Sequence, residues 1–203
     1  VIITVDCGTL SFEPLEAAHA AGLDVIVVDH HMGEARKPKA YAIVNPNRLD
    51  ETSPHGTLAA VGVCFLLIVA VNRALRKAGW FAGRKEPDVR QWLDIVALGT
   101  ICDVVPLTGV NRALVCQGLK ILAGRGNVGL RSLLDVAGVA EYPGVYHAGF
   151  VLGPRINAGG RVGKADLGVR LLTCTDPLEA AHLARELDLH NTERKGIEAA
   201  VLE

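Results

Sequence analysis

The sequence has no CxxC pair among its five cysteines, no apolar run long enough for a membrane span, no excess of basic residues and no internal repeat or low-complexity segment. Each absence excludes a class. Cys7, Cys64, Cys102, Cys116 and Cys174 are scattered through mostly apolar surroundings, where a free cysteine behaves as a small hydrophobe. That pattern speaks against a structural zinc site and fits a reducing cytoplasm. Apolar stretches such as 61–71, closed by Asn72 and Arg73, fall short of the roughly 20 residues that cross a bilayer, so the chain reads as soluble. No basic segment leading into an apolar stretch and a small-residue cleavage site stands near Val1, so no secretory signal is read there. A net charge of −1 and a pI near 6.7 exclude a protein that grips long nucleic acid by overall charge alone.

What is present is apolar material and locally sorted charge. Half of the 203 residues are hydrophobic and 21% are charged, enough for one sizeable core or a core with an appendage. From Val1 to Glu34 there are six acids (Asp6, Glu13, Glu16, Asp24, Asp29, Glu34) and no Lys or Arg. From Gly153 to Arg170 the balance reverses, with Arg155, Arg161, Lys164 and Arg170 against Asp166. An acidic region suited to cations and a basic one suited to anions share the chain.

The first five residues are a continuous β-branched run that stops at Asp6-Cys7-Gly8, and a helix is expected from about Pro14 to Ala21, ended by Gly22. A second run, Val25 to Val28, stops at Asp29-His30-His31. Strands apolar on both faces and separated by a helix predict a βαβ unit in a buried parallel sheet. The fold class expected is therefore α/β, a parallel sheet flanked by helices, followed by a helical part and a long final helix. A short strand is expected within 40–47, ending at Asn45-Pro46, then a polar loop over 49–56 and a long, mostly buried helix over 57–77. Residues 89–98 read as a helix with Trp92, Ile95 and Val96 inward, broken at Gly99 before Asp103 and Pro106. Further helices are expected at 112–122, 130–137, 167–172 and 177–203, with the Gly-rich stretch 151–163 as a tightly specified loop.

In an open parallel sheet, ligands bind beyond the carboxyl ends of the strands. Asp6 and Asp29-His30-His31 each end a strand, and Asp103 follows a helix break. Carboxylate plus imidazole is the ligand set of Mn²⁺, Mg²⁺, Zn²⁺ or Fe²⁺, and the lack of thiolate pairs favours the harder ions. A hydrolytic dinuclear centre needs a carboxylate that bridges both ions, and Asp6 is the natural candidate. Taken singly, Asp6 or Asp103 is more often a cap or turn residue than a ligand. Two adjacent imidazoles and a carboxylate after a buried strand have no packing rationale. His19, His55 and His147 read as ordinary surface or turn residues.

Val28-Asp29-His30-His31 after an apolar strand, with Val5-Asp6-Cys7-Gly8 upstream, resembles the signature of the DHH phosphoesterase family. The stretch Leu98-Gly99-Thr100-Ile101-Cys102-Asp103 resembles the later Asp motif of that family. The stretches 152–161 (Leu-Gly-Pro-Arg-Ile-Asn-Ala-Gly-Gly-Arg) and 187–195 resemble the branch of the family that degrades single-stranded DNA rather than its shorter members. The resemblance implies that Asp6 bridges two ions, Mn²⁺ or Mg²⁺, that His30 and Asp103 complete the coordination of one, and that His31 faces the scissile phosphate. It places Asp29 behind a His, orienting it by hydrogen bond. It gives Asn157 and Arg161 contacts to substrate phosphate near the metals, with Arg155 as a further candidate. The activity implied is stepwise hydrolysis of single-stranded DNA from its 5′ end in repair and recombination, with a helicase or single-strand-binding protein as candidate partner and no membrane. The domains expected are a phosphoesterase domain over 1–107, a helical remainder of the catalytic core over 108–176, and the start of an interdomain helix over 177–203.

The family pattern also has an earlier strand ending in paired Asp residues, a motif this sequence lacks, and domains beyond the connecting helix. The resemblance thus implies that these 203 residues bind one metal weakly and hydrolyse DNA poorly by themselves. Two other readings stay open: a phosphodiesterase of short oligonucleotides or cyclic dinucleotides, and a non-catalytic replication or repair scaffold, which would typically have lost the ligands retained here. An uncovered flank of the sheet predicts association of the isolated chain. Sedimentation velocity should show concentration-dependent oligomers, whereas a monomer with a sharp thermal transition would count against that expectation.

Overall fold

A computed structural model describes residues 1–202. Among the described residues no helix is long and apolar enough to cross a membrane. The chain divides into two units, Val1–Val89 with Asp103–Ala113, and Arg90–Cys102 with the chain from Leu114 onward.

The first unit is built on three parallel strands in the order β1 (Ile2–Val5), β2 (Val25–Val28) and β3 (Ala42–Val44). The register pairs Val5 with Val28 and Val28 with Val44, so all three strands end at the same edge of the sheet. The β-branched runs dictate these strands, and α1 (Phe12–Ala20) makes the crossover between the first two. Val25, Val27 and Val28 of the central strand are buried, and Leu15 of α1 packs with Val25 and Val27. β1 departs from the expectation of burial on both faces: Ile2, Ile3 and Val5 are all exposed. It pairs only with β2, so one flank of the strand has no ladder partner among the described residues.

α2 (Ala60–Lys77) begins three residues later than expected and is not mostly buried. Ala60, Gly62, Val63 and Phe65 face the interior, whereas Leu66, Ile68, Val69 and Val71 are exposed. Its apolar residues run around more of the helix than one packed face covers.

The second unit is helical. A 3₁₀ turn, Val89–Trp92, leads into α3 (Leu93–Cys102), where Gly99 does not break the helix. The glycine costs about 1 kcal/mol of helix propensity, which the burial of its neighbours Leu98 and Thr100 offsets. Val96 points inward as expected, but Trp92 is 37% exposed, because it ends the 3₁₀ turn rather than lying on the packed face of the helix. α4 (Gly109–Ala123) carries the chain onward to α5 (Val128–Val136), α7 (Leu167–Thr173) and α8 (Pro177–Leu202). Ala180, Leu183, Ala184 and Leu187 of α8 are buried in one cluster with Leu130, Leu133 and Leu134 of α5 and Leu167 and Leu171 of α7.

The expected Gly-rich loop over 151–163 is instead helical. A π-helical segment, His147–Leu152, runs into α6 (Gly153–Val162). Pro154 sits in the first turn, where its missing N–H costs nothing. Glycine here serves close approach rather than turning: a Cβ on Gly153 would lie 2.4 Å from Cys102 Sγ. The same logic holds where α5 meets α7, because a Cβ on Gly129 would lie 1.9 Å from the Leu171 carbonyl oxygen. That carbonyl is backbone and cannot rotate away. Gly129→Ala is therefore expected to destabilise the protein by about 2–4 kcal/mol, in the range of severe overpacking. An unchanged urea midpoint would show that the two helices are not held this closely.

Candidate metal centre

All three strands end in polar residues: Asp6 after β1, Asp29-His30-His31 after β2 and Asn45-Pro46-Asn47 after β3. The ladder continues one step past the strands, Asp6 N donating to Val28 O at 3.0 Å and Asp29 N to Val44 O at 3.1 Å, so these side chains are set side by side. Asp6 adopts φ 60°, a left-handed conformation costly for a residue with a Cβ. The turn that follows depends on Gly8, at φ 114°, where a Cβ would lie 2.8 Å from Thr4 Oγ1 and 3.0 Å from Val27 Cγ1. Asp103 directly follows α3, and Val104 after it has φ 59°, a pronounced outlier for a β-branched residue.

Asp29 is buried, yet its carboxylate is fully engaged. Oδ2 accepts from Thr9 N at 3.0 Å, and Oδ1 accepts from His30 N at 2.8 Å and contacts His31 Nδ1 at 2.7 Å. Burial alone would raise its pKa, but the bonds from Thr9, His31 and His30 outweigh it and hold the carboxyl well below the usual range. The same contact raises the His31 pKa against burial. With Nδ1–H directed at Asp29, His31 is left with Nε2 as its free ring nitrogen, the arrangement by which carboxylates orient metal-site imidazoles.

His30 is held differently. Its Nδ1 lies 3.1 Å from the Leu58 carbonyl oxygen, which only a protonated nitrogen satisfies, so Nε2 is the ring nitrogen turned toward the carboxylates and the one a metal would take. That Nε2 lies 3.4 Å from Asp6 Oδ1 and 3.5 Å from Asp103 Oδ2. His30 Nε2 thus faces a carboxylate from each of two segments, a donor set suited to a divalent cation. Ligating atoms of Asp6, His30 and His31 also lie within 4.8 Å of one another. Burial pushes the Asp103 carboxyl above its ordinary value; the His30 imidazole opposes this and the charge of Asp6 adds to it.

The structure therefore gathers Asp6, His30, His31 and Asp103 in the first unit, with Asp29 behind His31. Asn157 and Arg161 lie in the second unit, exposed, one turn apart on α6 and lining one small cavity. Arg155 is partly engaged within the fold: its Nε donates to Asp188 Oδ1 at 2.8 Å and its Nη1 to Val151 O at 2.8 Å. It braces α6 against α8, because the residue after Pro154 points back to the packed side of the helix.

Several supporting residues were missed by sequence reasoning. Asn45 Nδ2 donates to Thr9 Oγ1 and to His31 O, both at 2.8 Å, and Asn47 Nδ2 donates to His30 O at 2.6 Å. Their position at the end of a third parallel strand was the available signal. Asn111 donates from Nδ2 to Thr57 O at 2.7 Å and Pro106 O at 3.0 Å, tying the segment after Asp103 to the one whose Leu58 carbonyl orients His30. A lone Asn inside a helix offers no sequence signal for that role.

A carboxylate and imidazole cluster beyond the ends of a parallel sheet is the donor set of a divalent-metal site. Residues 1–100 match the DHH family, N-terminal domain, and the chain belongs to the DHH family. It is 45% identical over 205 residues to the single-stranded-DNA-specific exonuclease RecJ of Dickeya dadantii, covering 99% of this chain and 36% of that protein. It is 46% identical over 202 residues to RecJ of Escherichia coli, covering 98% of this chain and 35% of that one. A crystal structure of exonuclease RecJ bound to manganese superposes with a TM-score of 0.84 at 36% identity, over 98% of this chain and 48% of that chain. RecJ of Thermus thermophilus in complex with Mn²⁺ gives 0.82 at 37% identity, over 98% and 29%. The chain spans about a third of the length of the curated relatives it matches.

Replacing Asp29 tests the support beneath the centre. Asp29→Asn removes the charge that four donors share, the His31 amide included, at an expected cost of about 3 kcal/mol at neutral pH. A group whose pKa is lowered in the fold stabilises above its ordinary value and loses that effect below it. The gap between the two proteins in urea unfolding should therefore narrow as the pH falls below 3.8. Equal stability at pH 7 would contradict the role given to Asp29.

Proposed function

We propose that this chain carries the metal centre of a phosphodiesterase that hydrolyses single-stranded DNA stepwise from the 5′ end. The observation that carries the reading is His30 Nε2 within 3.5 Å of both Asp6 and Asp103, with its Nδ1 committed to Leu58. The donor set of oxygens and imidazole nitrogens fits Mn²⁺ or Mg²⁺. Asp6, His30 and Asp103 would hold the metal, with Asp6 as the carboxylate that two ions would share. Bound divalent ions supply Lewis acidity toward the phosphate and an acidified water. His31, fixed by Asp29, directs its second nitrogen at the scissile phosphate, and Asn157 and Arg161 contact substrate phosphate.

The names of the relatives, single-stranded-DNA-specific exonucleases, support this substrate, and the manganese-bound structures support the choice of ion. On this reading 1–107 is the phosphoesterase domain, 108–176 completes the catalytic core and 177–203 begins the connecting helix. The protein acts in the cytoplasm in repair and recombination, on strands opened by a helicase or kept open by a single-strand-binding protein.

Calorimetric titration with Mn²⁺ tests the ligand set. His30→Ala and Asp103→Ala should each weaken binding at least tenfold, about 1.4 kcal/mol. Hydrolysis of a labelled single strand by the protein should stop when the ions are chelated. Unchanged Mn²⁺ affinity in both variants would overturn the assignment.

A further inference from the structure

We propose that Tyr146 and Phe150 form a base-stacking platform for single-stranded DNA, with the adjoining cavity of α6 and α8 holding the backbone phosphate of the stacked nucleotide. The inference rests on the single-strand reading above and deepens it, adding Tyr146, Phe150 and Arg194 to the phosphate contacts given there to Asn157 and Arg161. Tyr146 and Phe150 lie one turn apart around the π-helical segment, with ring centroids 5.6 Å apart and planes 21° from parallel. They are 66% and 72% exposed, an arrangement that leaves two large apolar rings in water instead of in the core.

The pair is braced from one side only. His147 meets the Tyr146 ring edge-on at 5.7 Å and 80°. The imidazole is itself fixed, accepting at Nδ1 from Gly144 N at 3.1 Å and meeting Glu141 Oε1 with Nε2 at 2.8 Å. Tyr146 is thus held between His147 and Phe150, while most of the Phe150 ring stays in solvent.

Beside the rings lies a cavity of about 200 Å³ lined by Gly149, Gly153, Asn157, Arg161 and Arg194, among others, and by no carboxylate. Phe150 falls between two of its lining glycines, so ring and cavity belong to the same turn of backbone. Among the described residues Asn157 and Arg161 make no side-chain hydrogen bond, which leaves their donors for a ligand. Arg194 is shared: Nη1 pairs with Glu198 Oε2 at 2.7 Å and Nη2 meets Asn191 Oδ1 at 3.4 Å, leaving Nε unengaged. Two guanidiniums and an amide around a small polar cavity complement a phosphate diester. An aromatic face next to such a site is how proteins hold single strands without reading their sequence. The charge around the cavity favours this occupant over an apolar protein partner.

Anisotropy of labelled strands, measured with chelator so that nothing is hydrolysed, separates the parts. Oligo(dT) is compared with an abasic strand of equal length on the unaltered chain, on Tyr146→Leu/Phe150→Leu and on Arg194→Gln, each checked for fold by circular dichroism. The aromatic double variant should bind oligo(dT) at least tenfold more weakly and the abasic strand unchanged, whereas Arg194→Gln should weaken both and reduce their salt dependence. Phe150→Trp should give fluorescence that oligo(dT) quenches and the abasic strand does not. If the unaltered chain binds oligo(dT) and neither the double variant nor the Trp probe responds, the platform is overturned while the single-strand reading stands. If it binds no strand at all, the single-strand reading falls and takes the platform with it.

Discussion

The buried carboxylate of Asp29 is the constraint on which the site depends. A charge in that position is tolerable only if its oxygens are saturated, and it is saturated by the groups whose placement matters: the Thr9 amide after the β1 turn, the His30 amide and the His31 ring. One side chain therefore joins the ends of the first two strands and sets the orientation of an imidazole. Asn45 extends the same network to the third strand by donating to Thr9 and to the His31 carbonyl.

Around this support the ligand-bearing positions are under strain. Asp6 and the residue after Asp103 both adopt left-handed backbone, and neither is glycine. Such conformations persist where the surroundings over-determine them. Here the ladder bond from Asp6 to Val28 and the clamp of Asn111 on Pro106 and Thr57 do so. The outcome sets two carboxylates against His30 Nε2, an acidic arrangement that a cation stabilises.

Much of this was legible in the sequence. The β-branched runs and the residues that end them located the parallel sheet, and Asp-His-His after a buried strand had no packing explanation. What was not legible was decided by close tertiary contact. The stretch 151–163 looked like a loop because of its glycines, but Gly153 is small so that the helix can lie against Cys102. Arg155, a further phosphate candidate by resemblance, also pairs with Asp188, a contact its charge alone did not reveal. The long apolar helix 60–77 looked buried, because composition does not say which faces find a partner. Exposure of β1 has the same origin: a run apolar on both faces states what could be covered, and not what covers it.

The central claim is that a divalent ion is held where His30 Nε2 faces Asp6 and Asp103. Anomalous diffraction at the manganese edge from crystals grown with Mn²⁺ addresses it directly. The account predicts a peak within coordination distance of His30 Nε2 and of both carboxylates, absent in His30→Ala crystals. A Mn²⁺ peak elsewhere with this position empty, or one that survives the loss of His30, would contradict it.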